Sequence, residues 1–359
     1  MTQARHENNR RWVYAFLGLC SLPSFLSSSN AAELPGVRVS NVRRVFHNGE
    51  HNAFTDLIRW QGSYWLTFRS CPDGHMVHPT ASIIVLSSDD TQQWEVQYRF
   101  SVPKRDTRDP HFLAFQDKLF VYTGTWYSGD GTLPRDQYDL NKHLGYAAWT
   151  VDGRSWNGPR LLEGTYGHYI WRAATRDGTA YLCGRRNRDF AQVSGERDLV
   201  QSAMLESDDG LVWKFHSLFQ ENRGDETAFL FEDDGSLMAI SRSGSRPAQL
   251  VQSKPPYTEW TRKDLSQYIG GPLLVRWGDR WLVGGRQSTS SGPRTTLYWL
   301  VDEQLHKVAE LPSGGDNSYP GFVAFSSTRG VVSWYSSHEK DEHGATITAI
   351  YMADLEVSD

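Results

Sequence analysis

Arg, Glu, Tyr and His recur in this chain at the ends of short paired apolar runs, and these are the residue types that bind anions and move protons. Pair by pair they are His51, Asn52, Asp56 and Arg69; Arg108 and Asp109; His168, Arg172, Arg185 and Arg186; Asp225, Glu226 and Arg242; Arg286; and Asn317, Tyr319 and His338. Arg closes the second run of the first, third, fourth and fifth pairs, more often than a solvated rim requires. Together they could hold one acidic group while a carboxylate, a phenol or an imidazole transfers a proton.

These residues meet only if the paired runs are hairpins arranged around a common axis. The pairs read AFTDLIRW-QG-SYWLTFR, DPHFLAF-QD-KLFVYTGTW, YIWRAATR-DG-TAYLCGRR, ETAFLFED-DG-SLMAISR, GPLLVRW-GD-RWLVGGR and YPGFVAFSST-RG-VVSWYSS, spanning Ala53 to Ser337. Turn-to-turn spacing is about 45 to 60 residues, the period of a four-stranded propeller blade. In a hairpin the start of the first strand and the end of the second lie together, opposite the turn. The predicted fold is therefore all-β, a six-bladed β-propeller of four-stranded antiparallel blades, with the polar residues around a funnel at one face. The repeat runs on without a linker, so residues 33–359 are expected to form a single domain.

Trp 14, Tyr 16, Phe 16 and Gly 31 suit a turn-rich chain of strands with a large apolar core. A formal charge of −5 argues against nucleic acid as a partner, although a local Arg cluster could still bind an acidic ligand. Arg10 and Arg11 precede an apolar stretch that ends in small residues near Ala31 and Ala32, the layout of an export signal over residues 1–32. A periplasmic or extracellular protein is expected, with no membrane association after cleavage and a monomeric chain. Cys71 and Cys183 remain, too few for a disulfide framework but compatible with one bridge. No H-x-x-x-H or facial-triad spacing is present, so neither metal nor other cofactor is expected.

A second repeat lies farther out in the blades. SSDDTQQW (Ser87 to Trp94), TVDGRSW (Thr150 to Trp156) and SDDGLVW (Ser207 to Trp213) share the form Ser/Thr-x-Asp-Gly-x-x-Trp, with Thr91 in place of Gly in the first. In such a turn Asp caps backbone N–H groups, Gly supplies positive φ and Trp packs beneath. SKPPYTEW (Ser253 to Trp260) reads as a degenerate fourth copy. These segments resemble the Asp boxes of the sialidase superfamily of six-bladed propellers, and the resemblance covers almost all of residues 33–359.

The resemblance implies a glycoside hydrolase that binds an acidic glycan and releases its terminal sugar, in the simplest case an exo-α-sialidase. Three Arg would clamp the sugar carboxylate, Tyr activated by Glu would be the nucleophile, and an acid would protonate the leaving oxygen. By blade, Arg69, Arg242 and Arg286 match the three Arg. Glu226 in DETAFLFEDDGSLMAISR matches the Glu, and Tyr319 in SYPGFV matches the nucleophile with Pro320 in place of Ser. The Phe-Arg-Ile-Pro motif of the first Arg is absent. So is the family's acidic Asp, whose loop here reads GHMVHPTASIIVL and offers His75 or His78 instead. Arg172, Asp56, His51, Arg108, Asp109 and His168 are the further residues expected to contact substrate.

Each assignment has a structural rival. Asp225 could face inward in place of Glu226, Arg242 and Arg286 could pair with neighbouring blades, and Arg172 could pair with Asp109. Two other function classes also fit: β-elimination on a uronate with His and Tyr as base and acid, and a glycan-binding propeller without catalysis.

Overall fold

The computed structural model describes residues 34–192 and 197–358; the expected export signal over residues 1–32 lies outside them. Those residues form six four-stranded sheets, each a blade. The innermost strands are His51–Trp60, Arg105–Phe115, Tyr169–Arg176, Thr227–Phe231, Gly270–Trp277 and Asn317–Ala324, and each touches the next around a closed ring. The six-bladed propeller is as predicted.

Ring closure was not read from the sequence. The fourth strand of blade six is Gly36–Phe46, which pairs antiparallel with the C-terminal strand Thr346–Ser358. The two ends of the described chain are thus held in one sheet, leaving no open seam between first and last blades.

Apolar side chains fill the spaces between neighbouring blades. Leu113, Phe120 and Tyr122 of blade two pack with Ile170, Leu182, Leu205 and Trp213 of blade three in one such layer. Cys71 and Cys183 are buried free thiols.

The outer Ser/Thr-x-Asp turns behave as their sequence predicts. Asp90, Asp152 and Asp209 each accept two backbone N–H bonds through Oδ1, and the hydroxyl of Ser88, Thr150 or Ser207 accepts a third from the positive-φ residue. Each turn also docks on the preceding blade. The Gly210 carbonyl accepts Tyr122 Oη at 2.9 Å, Gly153 lies against Trp65, and the Thr91 carbonyl accepts Arg43 Nη2 at 2.9 Å. They clamp blade to blade, and their carboxylates are remote from the funnel chemistry.

One irregularity positions the site. Five of the six innermost strands carry a β-bulge at the same height, marked by register breaks at Ala53/Asp56, Arg108/His111, Ile170/Ala173, Gly270/Leu273 and Ser318/Gly321. The first bulged residues are Phe54, Asp109, Trp171, Gly271 and Tyr319; all but Trp171 have φ between 52° and 66°. In blade four the strand begins directly after the matching residue, Glu226. A bulge re-aims a side chain relative to the ladder. Pro110, Pro272 and Pro320 occupy the second bulged position, where a ladder N–H is not needed.

Candidate active site

Five bulges bring Phe54, Asp109, Trp171, Gly271 and Tyr319 to equivalent places on their blades, and Glu226 stands at the matching place just before the strand of blade four. Tyr319 Oη donates to Glu226 Oε1 at 2.5 Å. The same oxygen accepts Arg242 Nη1 at 2.9 Å, and Oε2 accepts the Gly271 N–H at 2.6 Å. Tyr319 belongs to blade six and Glu226 to blade four, so the phenol must cross blade five. It does so over Gly271, where a Cβ would lie 2.5 Å from Tyr319 Cδ2. Glycine is required here both for φ and for that crossing. On its other side the phenol ring meets Phe54 edge-on at 4.8 Å.

The pair is electrostatically polarised. Burial pushes the Glu226 carboxyl up, but Arg242, the Tyr319 hydroxyl, the Gly271 N–H and Arg286 outweigh it and hold the group at about 2. Burial, reinforced by the negative charges of Asp109 and Glu226, raises the Tyr319 phenol well above its ordinary range. The resting pair is therefore a carboxylate accepting from a neutral phenol.

Arg242 and Arg286 flank this pair. Tyr268 lies beside both, with the Arg242 guanidinium 5.4 Å from its ring centre. Arg242 is backed by Asp225, which lies 3.5 Å from its Nε and also binds Arg185 at 2.9 Å. Arg286 Nη1 bonds the Asn317 carbonyl at 3.3 Å and stands 3.5 Å from Asp316 Oδ1. Both guanidiniums retain solvent-facing surface in the funnel.

Arg69 is not with them. Its side chain is wholly buried and grips Asp106 through Nε and Nη2, both at 2.9 Å, while its remaining donors reach the Gly74 and Met76 carbonyls. Arg108 binds the same Asp106 at 2.7 Å and the His75 carbonyl at 2.7 Å. A fully buried carboxylate needs compensating donors, and Asp106 takes both arginines, so neither is free to clamp a substrate. Asp106 carries no signal in the sequence beyond its place two residues before Arg108.

Arg172 and Asp56 likewise lie below the site and pair with each other. Arg172 reaches across the axis from blade three to Asp56 Oδ1 of blade one at 2.9 Å, the Pro272 carbonyl of blade five at 2.9 Å and the Pro320 carbonyl of blade six at 2.8 Å. Asp56 also accepts the Phe112 N–H at 2.9 Å; despite burial, Arg172 and His111 hold it at about 2. Arg172 thus forms the floor of a small cavity that it lines together with His111, Trp171, Glu226, Gly271 and Tyr319. The rival pairing of Arg172 with Asp109 is not made; its carboxylate partner is Asp56.

Asp109 stands apart in its chemistry. Its Oδ2 accepts Tyr169 Oη at 2.6 Å and Trp171 Nε1 at 2.9 Å, whereas Oδ1 is buried without a hydrogen-bond partner. Burial, with the charge of Glu226 assisting, raises its carboxyl above the ordinary range against the opposing pull of Arg108.

The histidines divide. His78 binds Thr132 Oγ1 through Nδ1 at 2.8 Å, and its Nε2 is buried, so it faces a loop and not the funnel. His168 bonds the Tyr166 carbonyl at 3.1 Å and is lowered to about 4 by burial and Arg186. His51 and His75 meet at Asp316, with His75 half-exposed at the mouth. Asp316, Tyr335 and Tyr268 were not singled out from sequence; Asp316 lies immediately before Asn317, already noted at a hairpin end, and that was its only signal.

Neither a family model nor a curated protein sequence matches this chain. Solved structures do. A Dyadobacter fermentans protein of unknown function superposes with a TM-score of 0.74 at 20% identity, covering 90% of this chain and 100% of that one. Trypanosoma rangeli sialidase in complex with sialic acid matches with a TM-score of 0.63 at 13% identity, and phage phi92 endosialidase with 0.64 at 10%. They cover 90% and 89% of this chain, and 59% and 69% of their own lengths. At these identities the likeness establishes a sialidase-like six-bladed propeller fold.

Proposed function

We propose that this chain is a retaining glycoside hydrolase that removes a terminal acidic sugar, most simply a sialic acid. The observation that carries the reading is the Tyr319 hydroxyl on Glu226 with Arg242 on the same carboxylate oxygen. A neutral phenol is a suitable nucleophile for a sugar that itself carries a carboxylate, because a carboxylate nucleophile would be repelled. Arg242 and Arg286 hold the sugar carboxylate. Neutralising them in this way removes part of what keeps Glu226 ionised, so its proton affinity rises when the substrate arrives.

Tyr319 then attacks the anomeric carbon as its proton passes to Glu226, and the bond to the leaving oxygen breaks as Asp109 protonates that oxygen. Water, deprotonated by Asp109, next cleaves the tyrosyl bond and Glu226 returns the proton, with net retention. Asp109 is preferred as the acid over His75 and His78 because it lies on an innermost strand at the same height as Tyr319 and Glu226, and burial shifts its carboxyl toward the protonated form. An inward-facing Glu226 argues for hydrolysis over uronate elimination. The Trypanosoma rangeli enzyme, which shares the fold, is a sialidase solved with sialic acid bound, and that agrees with the substrate class.

The test is release of free sugar from a panel of α-sialosides and uronate-capped oligosaccharides by the purified protein. Free acidic sugar that vanishes in Tyr319→Phe supports the reading. Formation of an unsaturated uronate would overturn it in favour of a lyase, and binding without turnover in favour of a lectin.

A further inference from the structure

Next to the Tyr319/Glu226 pair, and unused by the reaction above, three side chains from separate segments converge. They are His51 at the start of the first innermost strand, His75 in the connection after Ser63–Cys71, and Asp316 just before Asn317–Ala324. His51 Nε2 lies 3.1 Å and His75 Nδ1 2.8 Å from the same oxygen, Asp316 Oδ2. The three potential ligand atoms all lie within 4.8 Å of one another. The imidazole rings stand 5.3 Å apart at 77°, so their nitrogens approach a common point from different directions. The other carboxylate oxygen of Asp316 is held by Tyr335 Oη at 2.9 Å, an outer hydrogen bond of the kind that orients a metal-ligating carboxylate.

We propose that His51, His75 and Asp316 bind a first-row divalent ion, Zn²⁺ in the simplest case. Two imidazoles and one carboxylate form an N,N,O donor set suited to such ions. With His75 half-exposed, the remaining coordination positions face the funnel mouth. Binding requires each imidazole to present a lone pair in place of the N–H now directed at Asp316, the ring proton passing to the other nitrogen. The spacing along the chain holds no sign of the site, because its ligands come from three distant segments.

The role of the ion follows from the position of Arg286, 3.5 Å from the second oxygen of Asp316. With Arg69 and Arg108 taken up by Asp106, the clamp of Arg242 and Arg286 is one positive charge short of the three-cation set that the resemblance implied. A divalent ion at this corner supplies it, from blade one, through its open positions. This role rests on the glycosidase reading; ion binding itself does not. The Arg286 guanidinium opposes a neighbouring cation, so loss of any one ligand should abolish binding.

Full-length protein stripped by chelator and dialysed is titrated with ZnCl₂ by calorimetry, and with Co²⁺ by visible absorption. One equivalent bound per chain, lost in His75→Ala and Asp316→Asn whose thermal unfolding stays cooperative, is the expected result. No saturable binding, or binding that survives His75→Ala, overturns the site and leaves the cluster as two imidazoles hydrogen-bonded to one carboxylate. In turnover of an acidic glycoside, chelation should raise KM about tenfold with kcat little changed, and an unchanged KM overturns the clamp role. Wild-type protein that binds the ion yet turns over no acidic glycoside supports the site while refuting the glycosidase reading.

Discussion

Tyr319 Oη reaches Glu226 Oε1 at 2.5 Å only because the residue between them on blade five, Gly271, has no side chain. The contact joins blades six and four across one intervening blade, and the intervening backbone takes part through its N–H on Glu226 Oε2. The phenol, the carboxylate and the glycine that permits their contact are therefore a single unit of geometry.

Gly271→Ala tests that unit. The new Cβ would sit 2.5 Å from Tyr319 Cδ2 at a residue with φ of 60°, so either the phenol or the bulge must move. We expect a loss of about 1–3 kcal/mol in stability by chemical denaturation, from overpacking and backbone strain. Turnover should fall by a much larger factor than stability accounts for, measured well below the unfolding transition. A variant with full activity would mean that the phenol is not held for attack.

Removal of the Tyr319 hydroxyl should leave the fold intact and reduce turnover of an aryl glycoside of the acidic sugar by roughly a thousandfold or more. Phe keeps the ring contact with Phe54, so the melting curve should show two-state unfolding as in the wild type. Mass spectrometry with a slow fluorinated substrate should detect a covalent adduct on Tyr319 in the wild type and none in the variant.

Arg172 and Asp56 form a crossbar at the floor of the cavity. Replacing Arg172 with Met leaves the Asp56 carboxylate buried without its main partner, at a cost of about 3–5 kcal/mol. Lys should not restore stability, because a single ammonium cannot reach Asp56 and the carbonyls of Pro272 and Pro320 together. Urea titration of the two variants decides the matter; a Lys variant as stable as wild type would refute the crossbar.

The pH dependences of activity and of stability should have different origins. Asp109 is raised in the folded protein, so its proton is held at low pH and lost as pH rises through the folded value, which sets an alkaline limb on kcat. Asp109→Asn should abolish that limb and slow substrates with poor leaving groups about a hundredfold or more, while sparing those with activated aryl leaving groups. Equal loss on both kinds of leaving group would remove Asp109 from the acid role.

Glu226 runs the other way. Its folded value of about 2 lies below its ordinary 4.5, so its ionised form contributes stability that is present above about pH 4.5 and lost as pH falls toward 2. Acid unfolding of Glu226→Gln should therefore show a shallower fall across that window than the wild type. An identical slope would mean that the pairing with Arg242 does not survive in solution.

Much of this was written along the chain. Alternation of apolar residues between tight turns repeats six times, and because side-chain direction in a strand has period two, that pattern determines blades, hairpin ends and the common face they share. It also placed Glu226, Tyr319, Arg242 and Arg286 at that face. What sequence could not decide is which polar groups at the face remain available, since that depends on partners brought from other blades. Asp106 takes Arg69 and Arg108, Asp56 takes Arg172, and Asp316 gathers His51 and His75, each through contacts between segments far apart in the chain. Local propensity dictates elements; the desolvation of buried charge, which must be compensated by whatever donor the ring brings near, decides their roles.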